Sequence, residues 1–185
     1  VSGGVGRNID FEIELTEVFG CKILLFDPSP TGIETMLKPE NQHRLLEFIP
    51  EGLAARDGLR RFAPPISSDE GSWRKSDDGY TNEWICRSVS SISNSLGGKP
   101  IELLKLDIEG FEYEVLHNVL SSNVHCHQIL VELHTAKFHG RGHSPTIRKY
   151  FYMVRLFLAG FRLVHQREAD YSFARECSCG TSLRV

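Results

Sequence analysis

The sequence predicts an α/β fold: a mostly parallel sheet flanked by helices and closed by an antiparallel pair towards the C-terminus. Three observations carry this reading. Short apolar runs alternate with stretches of helical periodicity. Acidic residues recur at the ends of the apolar runs, at Asp27, Asp107 and Glu132. The 185 residues, 41% hydrophobic and 24% charged, match one packed domain in size and composition.

The elements follow in order. Phe11, Leu15, Val18 and Phe19 repeat at helical spacing, which predicts a helix capped by Asp10, stopped by Gly20 and facing the sheet with that stripe. Glu12 and Glu14 fall in its first turn, where carboxylates favour the positive helix end. Cys21 to Asp27 reads as a strand closed by Pro28-Ser29-Pro30. Leu46 to Leu53 is a weaker strand, because Pro50 lies inside it. Ile101 to Asp107 and Gln128 to His134 are two more. Phe111, Val115, Leu116 and Val119 form a second helical stripe. Ser144-Pro145 opens a third helix over Thr146 to Ala159. Phe161 to His165 and Thr181 to Val185 would pair antiparallel and close the sheet. Residues 63–83, rich in Pro, Ser, Asp and Gly around Trp73 and Tyr80, read as a loop excursion within a single domain spanning 1–185. Long loops of this kind often serve as lids or substrate contacts.

Charge and cysteines narrow the partners. A net charge of −3 offers no basic face for nucleic acid, and no apolar run approaches the ~20 residues that span a bilayer. A small-molecule partner is expected. The cysteines, Cys21, Cys86, Cys126, Cys177 and Cys179, are odd in number and form no Cys-x-x-Cys pair. That favours reduced thiols and a cytoplasmic setting, and disfavours a zinc site at His125-Cys126-His127 or Cys177-Ser178-Cys179.

Four places carry candidate chemistry. Ser2-Gly3-Gly4-Val5-Gly6 precedes a helix, where glycines let a cofactor approach the backbone and helix N–H groups meet an anion. Ile9 stands where the third glycine of a nicotinamide-binding turn belongs. Asp27, at a strand's carboxyl end, suits the two hydroxyls of a ribose, although Asp-Pro also starts plain turns. Asp107 ends another strand, Gly110 permits a sharp turn, and Glu109 can share the same cleft. Carboxylates so concentrated need cations, solvent or a ligand. Glu112 and Glu114 read as ordinary first-turn acids of the next helix. Glu132 and His134 alternate onto one strand face, and His134 suits a general base, its bland alternative being a surface histidine.

In this order the motifs resemble S-adenosylmethionine (SAM) dependent methyltransferases of the FkbM and methyltransferase-like type. The matching stretches are Ser2-Gly3-Gly4 with Asp10-Phe11-Glu12, Phe26-Asp27-Pro28-Ser29-Pro30, Lys105-Leu106-Asp107-Ile108-Glu109-Gly110-Phe111-Glu112, and Val131-Glu132-Leu133-His134. The resemblance implies a three-layer α/β/α Rossmann-like sheet whose central first strand is largely missing at the N-terminus. It implies SAM as cofactor, with Ser2, Gly3, Gly4 and Gly6 at the methionine half and Asp27, Pro28 and Ser29 at the ribose. Gly52 and Leu53 would lie beside the adenine, and Asp107 beside the amino group and the methyl. Glu109, Glu132 and His134 would bind the acceptor, with His134, Glu109 and Asp107 catalytic. The implied reaction methylates a hydroxyl of a small molecule or sugar. A divalent metal across Asp107, Glu132 and His134 is possible but not favoured, and no metal ligand is assigned. Asp57-Gly58 resembles the hairpin that often follows the third strand. The rival readings are a non-catalytic methyltransferase-like binding domain and a nicotinamide-dependent oxidoreductase, which lacks a tyrosine-lysine pair here.

Overall fold

The computed structural model describes residues 1–65, 72–76, 82–134 and 145–175. In chain order it opens with β1 (Ser2–Gly3), α1 (Asp10–Phe19), β2 (Ile23–Phe26), α2 (Pro30–Leu37), β3 (Leu46–Ile49) and β4 (Gly52–Leu53). Next come β5 (Gly58–Ala63), β6 (Arg74–Lys75), β7 (Asn82–Arg87), α3 (Val89–Ser95) and β8 (Ile101–Leu106). The chain closes with α4 (Glu112–Ser121), β9 (Cys126–Glu132), α5 (Pro145–Leu158), β10 (Phe161–Arg167) and β11 (Asp170–Arg175).

The main sheet has the order β10-β11-β9-β8-β1-β2-β3. Its five strands from β9 to β3 are parallel, and β11 and β10 add antiparallel at one edge. The expected α/β class stands. One face of β8 and β9 is the core: Leu104, Leu106, Ile129 and Val131 alternate onto it and are all buried, while Leu103, Lys105, Gln128 and Leu130 on the other face are not. Of the first strand, Ser2 and Gly3 hold the central place, paired with Leu25 and Phe26 on one side and Lys105 and Leu106 on the other. β10 closes against Asp170–Arg175 rather than Thr181 to Val185, which lie outside the described residues. A turn at Glu168, with positive φ, makes the nearer segment the available partner.

Helix α4 buries Tyr113, Val115, Leu116 and Val119 on the sheet, with Phe111 beneath its first turn. α1 corrects the sequence in two ways. Its N-cap is Ile9, and Asn8 Oδ1 accepts from the Asp10 N–H at 2.8 Å, so Asp10 is the first helical residue. Of its stripe only Leu15 packs against the core: Phe11, Val18 and Phe19 are exposed, while Ile9, Glu12 and Thr16 are buried. The cause is polar. Glu12 takes a hydrogen bond from Ser2 Oγ at 2.7 Å and pairs with Lys105 Nζ at 3.1 Å, and that fixes the helix's rotation. Gly20 stops the helix at φ +62°, as expected. Phe11, Leu15 and Phe19 instead line a surface groove with Leu24, Leu96 and Leu103.

A second sheet, β4-β7-β5-β6, borders the 63–83 segment read as a loop excursion and places Arg74–Lys75 of it in a strand; 66–71 and 77–81 lie outside the described residues. Leu46 to Leu53 is not one strand: it breaks at Pro50 and Glu51, and β3 and β4 join different sheets. Asp57-Gly58 forms no hairpin, because β7 lies between β4 and β5 and pairs with both. Asp57 Oδ1 instead accepts from the backbone and hydroxyl of Ser88 at 2.7 and 2.9 Å, tying β5 to the start of α3. Trp73 packs on Trp84 with ring centres 4.9 Å apart; Tyr80 lies outside the described residues. Cys21, Cys86 and Cys126 are free thiols, and burial pushes Cys86 up to about 12 and Cys126 up to about 11. Cys177 and Cys179 lie outside the described residues.

Candidate active site

The carboxyl ends of β1, β2 and β8 meet at a cleft, and the glycine loop forms its floor. Gly4 has φ +86°, and a Cβ there would lie 1.8 Å from the Asp107 carbonyl oxygen, so only glycine lets the loop press against the end of β8. Asp27 is held in place by the same loop. Its Oδ2 accepts from the Val5 N–H at 2.9 Å and the Gly6 N–H at 3.3 Å, and its Oδ1 from the Ser29 N–H at 2.8 Å. Ser29 Oγ in turn caps α2 through the Gly32 N–H, and a Cβ on Gly32 would strike Asp27. Gly4, Gly6, Asp27, Pro28, Ser29, Gly52, Leu53, Asp107 and Glu109 line one cleft, whose cavity volume is about 80 Å³. Phe62, Trp73, Trp84 and Phe111 wall it on the side of the second sheet.

Two residues assigned to the cofactor are not at that surface. Ser2 is buried with its hydroxyl on Glu12, and Gly3 packs under Leu53, where a Cβ would come within 2.6 Å. Both lie beneath the loop.

The second half of the site is a carboxylate cluster around one imidazole. The turn after β8 puts Glu109 at φ +52° and Gly110 at φ +106°. A left-handed glutamate costs about 1 kcal/mol and needs support from its surroundings. Glu112 supplies it: fully buried, its carboxylate accepts from the Gly110 N–H at 3.0 Å and the Ile108 N–H at 3.3 Å. The same carboxylate takes His134 Nδ1 at 2.7 Å, so that nitrogen carries a proton. His134 Nε2 lies 3.4 Å from Glu109 and 3.6 Å from Glu132. Burial alone would push the imidazole down. The bond and charge of Glu112, backed by Glu109 and Glu132, outweigh burial and carry it up to about 9. Burial, reinforced by the charge of Asp107, pushes Glu132 up to about 7, and burial also raises Glu109 against the pull of His134. Asp107, Glu132 and His134 bring one ligand atom each within 4.8 Å of one another, a spacing that suits a divalent cation.

This geometry has known counterparts. The family model described as the Methyltransferase FkbM domain matches residues 4–173. The chain belongs to the FkbM methyltransferase family. Among solved structures, the methyltransferase FkbM from Methylobacillus flagellatus KT superposes with a TM-score of 0.55 at 11% identity, over 94% of this chain. At that identity the likeness is one of fold. The chain spans 42% of that relative's length. No curated protein shows significant similarity to the chain.

Residues that the sequence reading passed over also build the site of this FkbM domain. Glu112 and Glu12 looked like first-turn acids, yet both are buried anchors, one for His134 and one for Lys105. Lys105 reaches back to the Gly4 carbonyl at 3.5 Å, joining β8 to the glycine loop. The aromatic wall has no sequence signature, since Phe62, Trp84 and Phe111 come from three separate elements or turns. One signal was available for Glu112: its place in the Lys-x-Asp-x-Glu-Gly-x-Glu block, beyond what a helix start requires.

Proposed function

We propose that this domain transfers a methyl group from SAM to a hydroxyl of a small molecule or sugar. One observation carries the proposal: the glycine loop, Asp27, Gly52, Leu53 and Asp107 converge on a single cleft in a chain of this family. The chemistry of the donor set fits the cofactor. Asp27 Oδ1 takes one N–H from Ser29 and keeps acceptor capacity for a ribose hydroxyl. Leu53, Phe26 and the aromatic wall offer an apolar bed for adenine, and Asp107 a carboxylate for the cationic end. Ser2 and Gly3 act from below by shaping the loop.

When bound, SAM supplies a methyl carbon on a sulfonium, already electrophilic, so the protein's task is positioning and proton removal. A general base works best when its pKa lies near the operating pH. His134, held near 9, is an imidazolium at neutral pH; Glu132, near 7, is the better base, with Glu109 beside it. With the cofactor held by the glycine loop, Asp27 and Asp107, the Glu132 carboxylate would take the proton of the acceptor's hydroxyl, whose oxygen is the nucleophile towards the methyl group that SAM would supply. His134 keeps the surrounding carboxylates oriented and partly neutralised. Calorimetry with SAM, followed by methyl transfer to a panel of hydroxylated acceptors, tests the reading. Absence of both heat and protection against thermal unfolding would leave the non-catalytic binding domain in its place. A divalent cation across Asp107, Glu132 and His134 is the second reading, favoured by their spacing. Full activity after chelation removes it.

A further inference from the structure

Helix α5 carries more apolar surface than its packing uses. Tyr152 and Leu156 face inward and are buried. Ile147, Tyr150, Phe151, Val154, Phe157 and Leu158 fall at helical spacing on the opposite side, and each exposes more than half of its surface. A contiguous apolar stripe on a protein surface marks an interaction site. Charge identifies the partner. Residues 145–167 contain Arg148, Lys149, Arg155, Arg162 and Arg167 and no acid, in a chain whose net charge is −3. Arg155 and Arg162 lie against rings of the stripe, 5.7 Å from Phe151 and 4.5 Å from Phe157, and Arg167 is exposed on β10, whereas Arg148 and Lys149 lie half-buried against Tyr113 and Tyr171.

We propose that α5 docks this protein onto an anionic lipid bilayer, with the stripe at the acyl boundary and the cations at the headgroup phosphates. Three observations favour that occupant. Arg155, Arg162 and Arg167, in a stretch without an acid, complement a surface of negative charge, whereas a two-fold copy of this chain would set like charges against each other. The helix has 14 residues, about 21 Å, and among the described residues no helix is long and apolar enough to cross a membrane. Such a helix lies in the interface plane, its long cationic side chains reaching from the apolar boundary to the headgroups. The inference stands apart from the methyl-transfer reading. It does touch that reading's site at one remove, because Arg148 of α5 covers the ring of Tyr113, the chain neighbour of Glu112.

Vesicle flotation of the whole chain tests it, using phosphatidylcholine alone and phosphatidylcholine with about 30 mol% phosphatidylserine. Binding is expected only to the anionic vesicles, and falls as salt screens the charges. The double variant Phe157→Ser, Leu158→Ser should bind at least about tenfold more weakly, with an unchanged melt because both side chains are exposed. Hydrogen exchange needs no variant: amides of 145–158 should slow on adding anionic vesicles. The proposal is overturned by absence of anionic-vesicle binding, by equal binding to neutral vesicles, or by exchange that does not change. A dimer in sedimentation equilibrium that Leu158→Ser dissolves would assign the stripe to a second copy instead.

Discussion

The two halves of the site, the cleft around Asp27 and the carboxylate cluster around His134, share only Asp107 and Glu109 and solve opposite problems. Around Asp27, one carboxylate is surrounded by backbone N–H groups, three of them within 3.3 Å, on a loop that glycine keeps close to β8. Around His134, one imidazole is surrounded by carboxylates from two strand ends and a helix, and protons have to settle the balance. The first half is made of donors fixed by the main chain, which cost no reorganisation when a ligand arrives. The second is made of side chains whose charge states depend on one another. A rigid half suits holding a cofactor; a titrating half suits moving a proton.

The largest test of that contrast is Gly4→Ala. With a Cβ 1.8 Å from a carbonyl oxygen and a positive φ, the substitution should destabilise the domain by more than about 3 kcal/mol, read from urea unfolding. An unchanged midpoint would mean that the loop gives way and the first half is not rigid.

Glu112→Gln comes next, at about 3 kcal/mol, because it removes the buried partner of a charged imidazole. The His134 pKa, followed by NMR, should fall from about 9 towards the ordinary value of about 6.5. A histidine raised by its partners contributes stability that is fully present below its ordinary pKa and lost as pH rises through about 9. The wild type should therefore weaken between about pH 6.5 and 9, and Glu112→Gln should show a flatter curve. Matching curves would place the imidazole's charge elsewhere. Methyl transfer should rise with pH through about 7 as Glu132 ionises, and the Glu132→Gln variant should lose that limb.

Asp27→Asn is the mildest. It turns one accepting oxygen into a donor facing the loop, and should weaken SAM binding by about ten- to a hundredfold in calorimetry, with a loss of about 1 kcal/mol in stability. Equal effects of Asp27→Asn and Glu112→Gln on the pH profile would erase the distinction between the halves.

Much of this molecule is local and therefore legible in the sequence. Apolar runs gave the parallel strands, Gly20 its helix stop, and the strand-end positions of Asp27, Asp107 and Glu132 their common edge, because residue period and turn chemistry act over a few neighbours. The fate of the helix acids was not legible. Glu12, Glu14, Glu112 and Glu114 look alike in sequence, yet Glu12 and Glu112 are buried because Lys105 and His134, distant along the chain, claim them. The same long-range pull turned Phe11, Val18 and Phe19 outward. Pairing with β5 made a strand of Arg74–Lys75, inside a segment that composition marked as loop. Sequence alone determined the strands around Asp27, Asp107 and Glu132, three of the helices, and where those carboxylates end. Only the tertiary structure decided which charges meet, because a buried charge takes its position from its partner rather than from its neighbours in the chain.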